Sequence, residues 1–252
     1  MLFRSPSANL ANPASAKQEP FDDLRDWLIA PQRQWLRQLG LRPSESAHGL
    51  EDLEALSLGE LERSHLLRSL TSSEAPPASE ADWLALCRGQ GLLPPGSGAG
   101  LEVRGLERRR RAMAEMAAAL GEAWQGAVVL DAWRCEQQWR GTAVVSCHWG
   151  KGGAVQLLEL WLQLVLAVAA APEGRHPERG VLLARDKGDQ ISATVLRAPE
   201  DAVSARQELE RLSTLRERWR SSCWPVPPRT GWAWWEKQRR GQSGFAAAQQ
   251  CW

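Results

Sequence analysis

The sequence predicts a domain of the α+β or α/β class, with a helical N-terminal half packed on a small mixed β-sheet. Three observations carry this. Between residues 21 and 124 the apolar side chains recur only at helical spacing. After Gly126 the spacing turns two-fold or continuous, first over Ala127–Leu130 and Ala132–Cys135, then over Thr142–Cys147. A solid apolar run from Val155 to Ala170 follows a glycine-rich turn, and a second strand pair flanks Asp186-Lys187-Gly188-Asp189. The order is helices, then β-β-β-α-β-β-α, which one mixed sheet accommodates.

Residues 1–20 are small and polar, with Pro6, Pro13 and Pro20, and are expected to form a disordered leader ahead of a single domain over 21–252. Its helical part spans 21–124, its sheet and later helices 126–252. Leu24, Trp27 and Leu28 share one helical face. Pro31 starts a second helix bearing Trp35, Leu36 and Leu39, which Gly40 ends. After a polar linker, Arg42–Leu50, the pattern LGELERSHLLRSL offers Leu58, Leu61, Leu66 and Leu70 to a third amphipathic helix. A Ser/Pro loop over 71–79 precedes a short helix, Glu80–Gly89, with Trp83, Leu84 and Cys87 inward. GLLPPGSGAG breaks the chain, and a long helix is expected over Leu101–Trp124. Gly188 supplies the positive φ of the later hairpin. Asp201–Arg220 forms a charged helix with Leu209, Leu212, Leu215 and Trp219 inward. A proline-rich loop and a tryptophan cluster close the chain.

Composition narrows the function classes. A net charge of +1 gives no global basic field, so any contact with nucleic acid must come from local clusters. Five cysteines without a Cys-x-x-Cys pair argue against a closed disulfide framework and for a reducing cytoplasm. The N-terminus lacks the apolar core of a secretory signal. The Val155–Ala170 run falls short of the ~18 residues of a membrane span and carries Glu159, so it reads as a buried core helix. Fourteen tryptophans against no tyrosine favour packing and stacking over hydroxyl chemistry.

Several motifs, taken in order, resemble the C-terminal region of RecC, the gamma subunit of exodeoxyribonuclease V. FDDLRDWLIAPQRQWLRQLGL is similar to that family's helix, proline and aromatic-rich helix ending in leucine-glycine. LSLGELERSHLLRSL resembles its next helix, with Ser64 where an aromatic is common. CRGQGLLPPGSGAG resembles its leucine-proline-glycine turn. RGTAVVSCHWGKGG leading into LLELWLQLVLAVA resembles its strand and apolar helix, VLLARDKGD its next strand, and PRTGWAWW its late proline-to-tryptophan loop. The resemblance runs from about Pro20 to the C-terminus. It implies a nuclease-like fold of the PD-(D/E)XK (restriction-endonuclease-like) type, related to the nuclease domain of RecB but without its chemistry. It also implies a role inside a RecBCD-type helicase–nuclease that resects double-strand breaks for repair and recombination. The partners implied are RecB-like and RecD-like subunits with duplex and single-stranded DNA, and no cofactor. RecC proteins are much longer and begin with inactive helicase-like domains, so a detached C-terminal part is expected here, from a gene fragment, a split gene or a truncated record.

Phosphodiester cleavage in the active relatives needs carboxylates for Mg²⁺ and a lysine near the attacking water. Aligned on the turn and helix, the corresponding positions hold Cys135, Ser146 and His148, which supply neither. Asp131, Glu136 and Glu159 are the alternative acids, and an active Mg²⁺-dependent nuclease using them is the competing reading. Strand alternation puts Asp131 and Cys135 on one face and Glu136 on the other. Gly150-Lys151-Gly152-Gly153 lacks the spacing and the Ser/Thr of a phosphate loop. Cys147 and His148 lack zinc-ligand spacing, and Ser146 sits in no nucleophile elbow. No metal site is expected. For DNA contact the candidates are the run Arg108, Arg109, Arg110 and Arg111, and the C-terminal group Trp234, Trp235, Lys237, Arg239 and Arg240. A solvated helix face and core packing of the rings are the plainer readings of these groups.

Overall fold

The computed structural model describes residues 20–41, 58–71, 79–89, 91, 93–94, 96–131, 133–220, 222 and 228–251. The expected leader (apart from Pro20), the linker Arg42–Leu50 and most of the 71–79 and 221–227 loops lie outside these residues.

Two short helices open the described chain, α1 (Pro20–Ile29) and α2 (Pro31–Gln38). Pro31 takes the first position of α2, where its missing N–H costs nothing. Gly40, at φ +74°, closes that helix. Its N–H donates to the Arg37 carbonyl while the Leu41 N–H reaches back to Leu36, the paired bonds of a Schellman end. Next come α3 (Glu60–Thr71), α4 (Glu80–Gly89) and α5 (Ser97–Ala118). On α3 the expected leucine stripe is corrected: Leu66 and Leu67 are buried, whereas Leu61 is 83% exposed. The helix turns its Leu66–Leu67 pair, with Leu58 just before it, toward Trp83 and Val145.

The long helix is also displaced from its expected bounds. It begins at Ser97 and ends at Ala118, so Trp124 lies in a strand instead. Trp124 pairs across the sheet with Trp139, ring edge to face at 5.5 Å, and that cross-strand contact outweighs its helical spacing.

The sheet has five strands: β1 (Ala123–Leu130), β2 (Trp133–Arg140), β3 (Ala143–Lys151), β4 (Arg179–Arg185) and β5 (Ile191–Arg197). Their spatial order equals their chain order. The pairs β1–β2, β2–β3 and β4–β5 are antiparallel, and β3–β4 is parallel. A parallel pair needs a long crossover, and α6 (Ala154–Ala170) provides it. Three strands therefore replace the shorter expected runs, and Gly150 belongs to β3 rather than to the glycine turn. The β2–β3 turn requires its glycine: Gly141 has φ +54°, and a Cβ there would lie 2.9 Å from the Leu120 carbonyl oxygen. The hairpin around Gly188 forms as expected, with φ +65° at that residue.

Both faces of the sheet are covered, which makes the molecule a mixed α+β fold of three layers. One face packs Val128, Trp139, Val144 and Leu182 against Phe21 and Leu24 of α1, the leucines of α6, and Leu209 of α7 (Ala202–Arg218). The other packs Ala143, Val145, Val181 and Leu183 against α3, α4 and α5. The helical first part therefore does not sit together on the sheet, since α1 is separated from α3–α5 by the sheet itself. Asp201 caps α7 in a reciprocal box with Ser204. The C-terminal stretch PRTGWAWW, expected as a loop, is the start of α8 (Pro228–Arg239), followed by α9 (Phe245–Cys251). No helix among the described residues is long and apolar enough to cross a membrane.

The corrected α3 register gives a direct comparison. Leu66→Ala, at a buried α3 position, is expected to cost about 2–5 kcal/mol, while Leu61→Ala on the same helix should stay within about 0.5 kcal/mol of wild type. Urea denaturation of both variants checks this.

Candidate functional site: a fork between two strands

Strands β2 and β3 pair only beside their hairpin, at Trp139↔Val144 and Arg140↔Ala143. Beyond that the ladder stops and the strands part. The gap opens a cleft of about 570 Å³, bounded by β2, β3, α3, α5 and, through the opening, Gln163 of α6. One wall of the fork is fixed from within. The buried Gln137 side chain donates to the Gln163 carbonyl at 2.9 Å and accepts the Trp139 indole N–H at 3.1 Å, so both ends of its amide are satisfied.

Cys135, Ser146 and His148, expected from the sequence at the catalytic positions of active relatives, do not converge here. Ser146 lines the cleft. Cys135 packs against the opposite, α6-side core. His148 lies beside α3, where burial and the Arg68 charge hold its imidazole below the ordinary histidine range. The three alternative acids go to three different places. Glu136 is in the cleft and already accepts from Arg134 at 3.0 Å. Asp131 is not on a strand, as alternation had placed it, but in the β1–β2 turn at φ +53°, a left-handed conformation that aspartate tolerates. It borders a separate groove with Arg206 and Glu210 of α7. Glu159 faces α1. Burial pushes its carboxyl above the ordinary range, with Arg25 pulling it down and Asp26 pushing it up. Among the described residues no group of three or more His, Cys, Asp or Glu side chains is placed to hold a metal ion.

The cleft instead gathers basic and amide side chains. Arg68 comes from α3, Arg110 from α5 and Arg140 from the end of β2, with Gln138 and Gln163 between them. Arg110 shares Glu107 with Arg111 and lies over the Trp83 ring at 5.8 Å, so its guanidinium is held in place. Arg68, Arg140, Gln138 and Gln163 were not among the sequence candidates. They are single residues on three elements, and nothing in their local spacing joins them.

The arginine run divides accordingly, which corrects its reading as one surface. Arg109 is 2% exposed. Its guanidinium bonds both Glu60 oxygens, at 3.2 and 3.4 Å, and also Asp189 in the β4–β5 turn. Glu60 contacts Arg63 and Arg185 as well, at 2.8 and 3.1 Å. Burial opposes its charge, but hydrogen bonds from Arg109 and Arg63 prevail and keep the carboxylate below its usual range. Arg109 is thus a structural tie and is removed from any surface contact. Arg108 is exposed and borders a small hollow with Arg63 and Glu102.

The second basic group lies on the other side of the sheet. Trp232 and Trp235 sit 5.1 Å apart, and both line an apolar groove of about 500 Å³ with Trp27, Leu28 and Trp161. Gly244 approaches Trp234 closely enough that a Cβ there would clash with its backbone. Arg239 covers Trp235 at 5.4 Å, Arg240 pairs with Glu236 at 2.7 Å, and Lys237 donates to Gln242 at 3.3 Å. Trp234, Trp235, Lys237 and Arg239 of α8, with Arg240 just after it, therefore do not share a face with the fork.

A mixed five-stranded sheet covered by helices on both faces, forked between β2 and β3 and lined there by arginines and amides, defines an α+β domain with a basic cleft. The model of the RecC C-terminal domain matches residues 16–239, so the chain belongs to that family. No curated protein matches the chain. A crystal structure of a protein called SSO0001 aligns over 76% of this chain and 86% of its own, at 11% identity and a TM-score of 0.23, and carries no argument about the fold.

Glu159 yields a pH test. Its charged form is disfavoured in the folded state, so its contribution to stability is present while it is protonated and is lost as pH rises through its raised folded value. Glu159→Gln is expected to be more stable than wild type at pH 7, with the difference vanishing below about pH 4.5, the ordinary glutamate value. Urea midpoints at the two pH values check it.

Proposed function

We propose that this chain is a catalytically silent, DNA-guiding and subunit-docking domain of a RecBCD-type helicase–nuclease, the machine in which RecC serves as the gamma subunit. The observation that carries the reading is the family match over residues 16–239. The fork supports the silent part: Cys135, Ser146 and His148 occupy the aligned positions, and Asp131, Glu136 and Glu159 are dispersed. We read the unit α5-β1-β2-β3-α6-β4 as a PD-(D/E)XK-like core, since a three-stranded meander and a helical crossover to a parallel strand are what such a core requires. We also read residues 21–252 as one domain, because a single sheet supplies both core faces.

In this reading hydrolysis and ATP turnover belong to RecB-like and RecD-like partners, and the assembly works in the cytoplasm on duplex ends and the strands they yield. Arg108, Arg110 and Arg111, with the α8 group, are the surface residues offered to DNA or to a partner subunit. The competing reading, a Mg²⁺-dependent nuclease, keeps one specific support: Glu136 lies inside the cleft.

One experiment separates them. The purified chain, incubated with linear DNA and Mg²⁺ or Mn²⁺, is expected to release no acid-soluble nucleotide, and to co-purify with a RecD-like subunit when the two are expressed together. Metal-dependent digestion that Glu136→Ala or Asp131→Ala abolishes would sink the silent-domain reading.

A further inference from the structure

We propose that the β2–β3 fork is an anion site that holds a phosphodiester of single-stranded DNA between Arg68, Arg110 and Arg140. This rests on the silent nuclease-like reading above and extends it, since it gives the disused centre a ligand of its own.

The charge arrangement is the first support. Three arginines from three separate elements line the cleft, and its one carboxylate, Glu136, is already engaged by Arg134. Glu107 is shared between Arg110 and Arg111, which leaves that pair with a net positive charge. Among the described residues the Arg140 side chain has no ion pair. His148 beside Arg68 is held toward its neutral form and adds no charge of its own. Arginines outnumber carboxylates three to one along the cleft lining, so its field favours an entering anion.

Shape and chemistry then select the ligand. Guanidinium groups match phosphate oxygens in paired, charge-assisted hydrogen bonds. At about 570 Å³ the cleft lies in the range of pockets that enclose small ligands, ~300–1,000 Å³. A stiff duplex cannot enter a gap between two strands of a sheet, whereas a bent single strand can. Val145 and Trp149 give an apolar wall for sugar or base, and Gln138 and Gln163 offer amides that donate and accept. An acidic peptide would use the arginines but leave that wall and those amides without a role, so the nucleotide is favoured.

Cys147 makes the site testable. It is exposed and lines the same cleft, whereas Cys87 is buried and Cys135 packs on the opposite face. The full-length chain is treated with N-ethylmaleimide alone, with oligo(dT), or with poly-glutamate, and the labelled peptides are quantified by mass spectrometry. Fluorescence anisotropy follows binding of fluorescein-labelled oligo(dT). The expected results are Cys147 labelling slowed by ~10-fold or more with oligo(dT), and oligo(dT) affinity lowered ~10-fold or more by Arg140→Glu, the scale of one charge-assisted contact. The salt slope of binding should flatten as well. Arg68→Ala serves as the second variant, and urea midpoints confirm that both fold. If oligo(dT) binds but neither Cys147 labelling nor Arg140→Glu responds, the cleft proposal is overturned while the DNA-guiding reading survives. If the wild-type chain does not bind oligo(dT), both fall. Protection by poly-glutamate alone would assign the cleft to an acidic polypeptide and overturn the proposal.

Discussion

Two neighbouring strands that run in the same direction cannot be joined by a turn, and this constraint at β3–β4 organises the molecule. The chain must leave the sheet, travel its length and return. The connecting element is pressed against the sheet on one side and covered by α1 and α7 on the other. Such an element must be apolar over most of its surface. That explains why α6 reads as an almost unbroken hydrophobic run and why its few polar residues matter: Glu159 is turned to α1, and Gln163 to the gap in the sheet. The crossover also separates the helices, with α1 on its own side and α3–α5 on the other.

The fork follows from the same geometry. The hairpin ties β2 to β3 through only two residue pairs, while the rest of β3 is committed to its parallel partner β4. β2 stays with β1 over its full length. The sheet therefore opens where its antiparallel and parallel parts meet, and arginines from three elements line the opening. A metal centre could be built in such a place, but so can other sites; the residues present decide. Here they are arginines and amides with one carboxylate, Glu136, which Arg134 engages, while Asp131 and Glu159 sit elsewhere.

Much of the architecture was legible in the sequence because periodicity reports burial. The α6 run, the hairpin at Gly188, the Pro31 start and the Gly40 stop all express local physics that neighbours do not override. Sequence pattern and structure part where a partner distant in the chain decides the outcome. Trp124 left its helical pattern to meet Trp139, Leu61 yielded to Leu67, and PRTGWAWW formed helix where proline and glycine implied a loop. The site was less legible. The absence of a carboxylate pair at Cys135, Ser146 and His148 was visible, but Arg68 and Arg140 are ordinary surface arginines until the fold places them beside Arg110. The four-arginine run looks like one feature in the sequence, but adjacent helical positions point in different directions, so Arg109 is buried beside an exposed Arg108.

That division of labour inside the run has a consequence for tolerance to change. Arg109 ties α3 and α5 to the turn after β4, and Arg110, one residue on, enters the cleft. Arg68 lies two turns beyond Glu60 on the helix at the other end of the same tie. The relative placement of two cleft arginines is thus set by an ion pair that touches neither. A lysine at 109 keeps the charge but cannot span both acids with a planar fork. The position that looks most replaceable, one basic residue among four, is the one whose identity governs the alignment of the others.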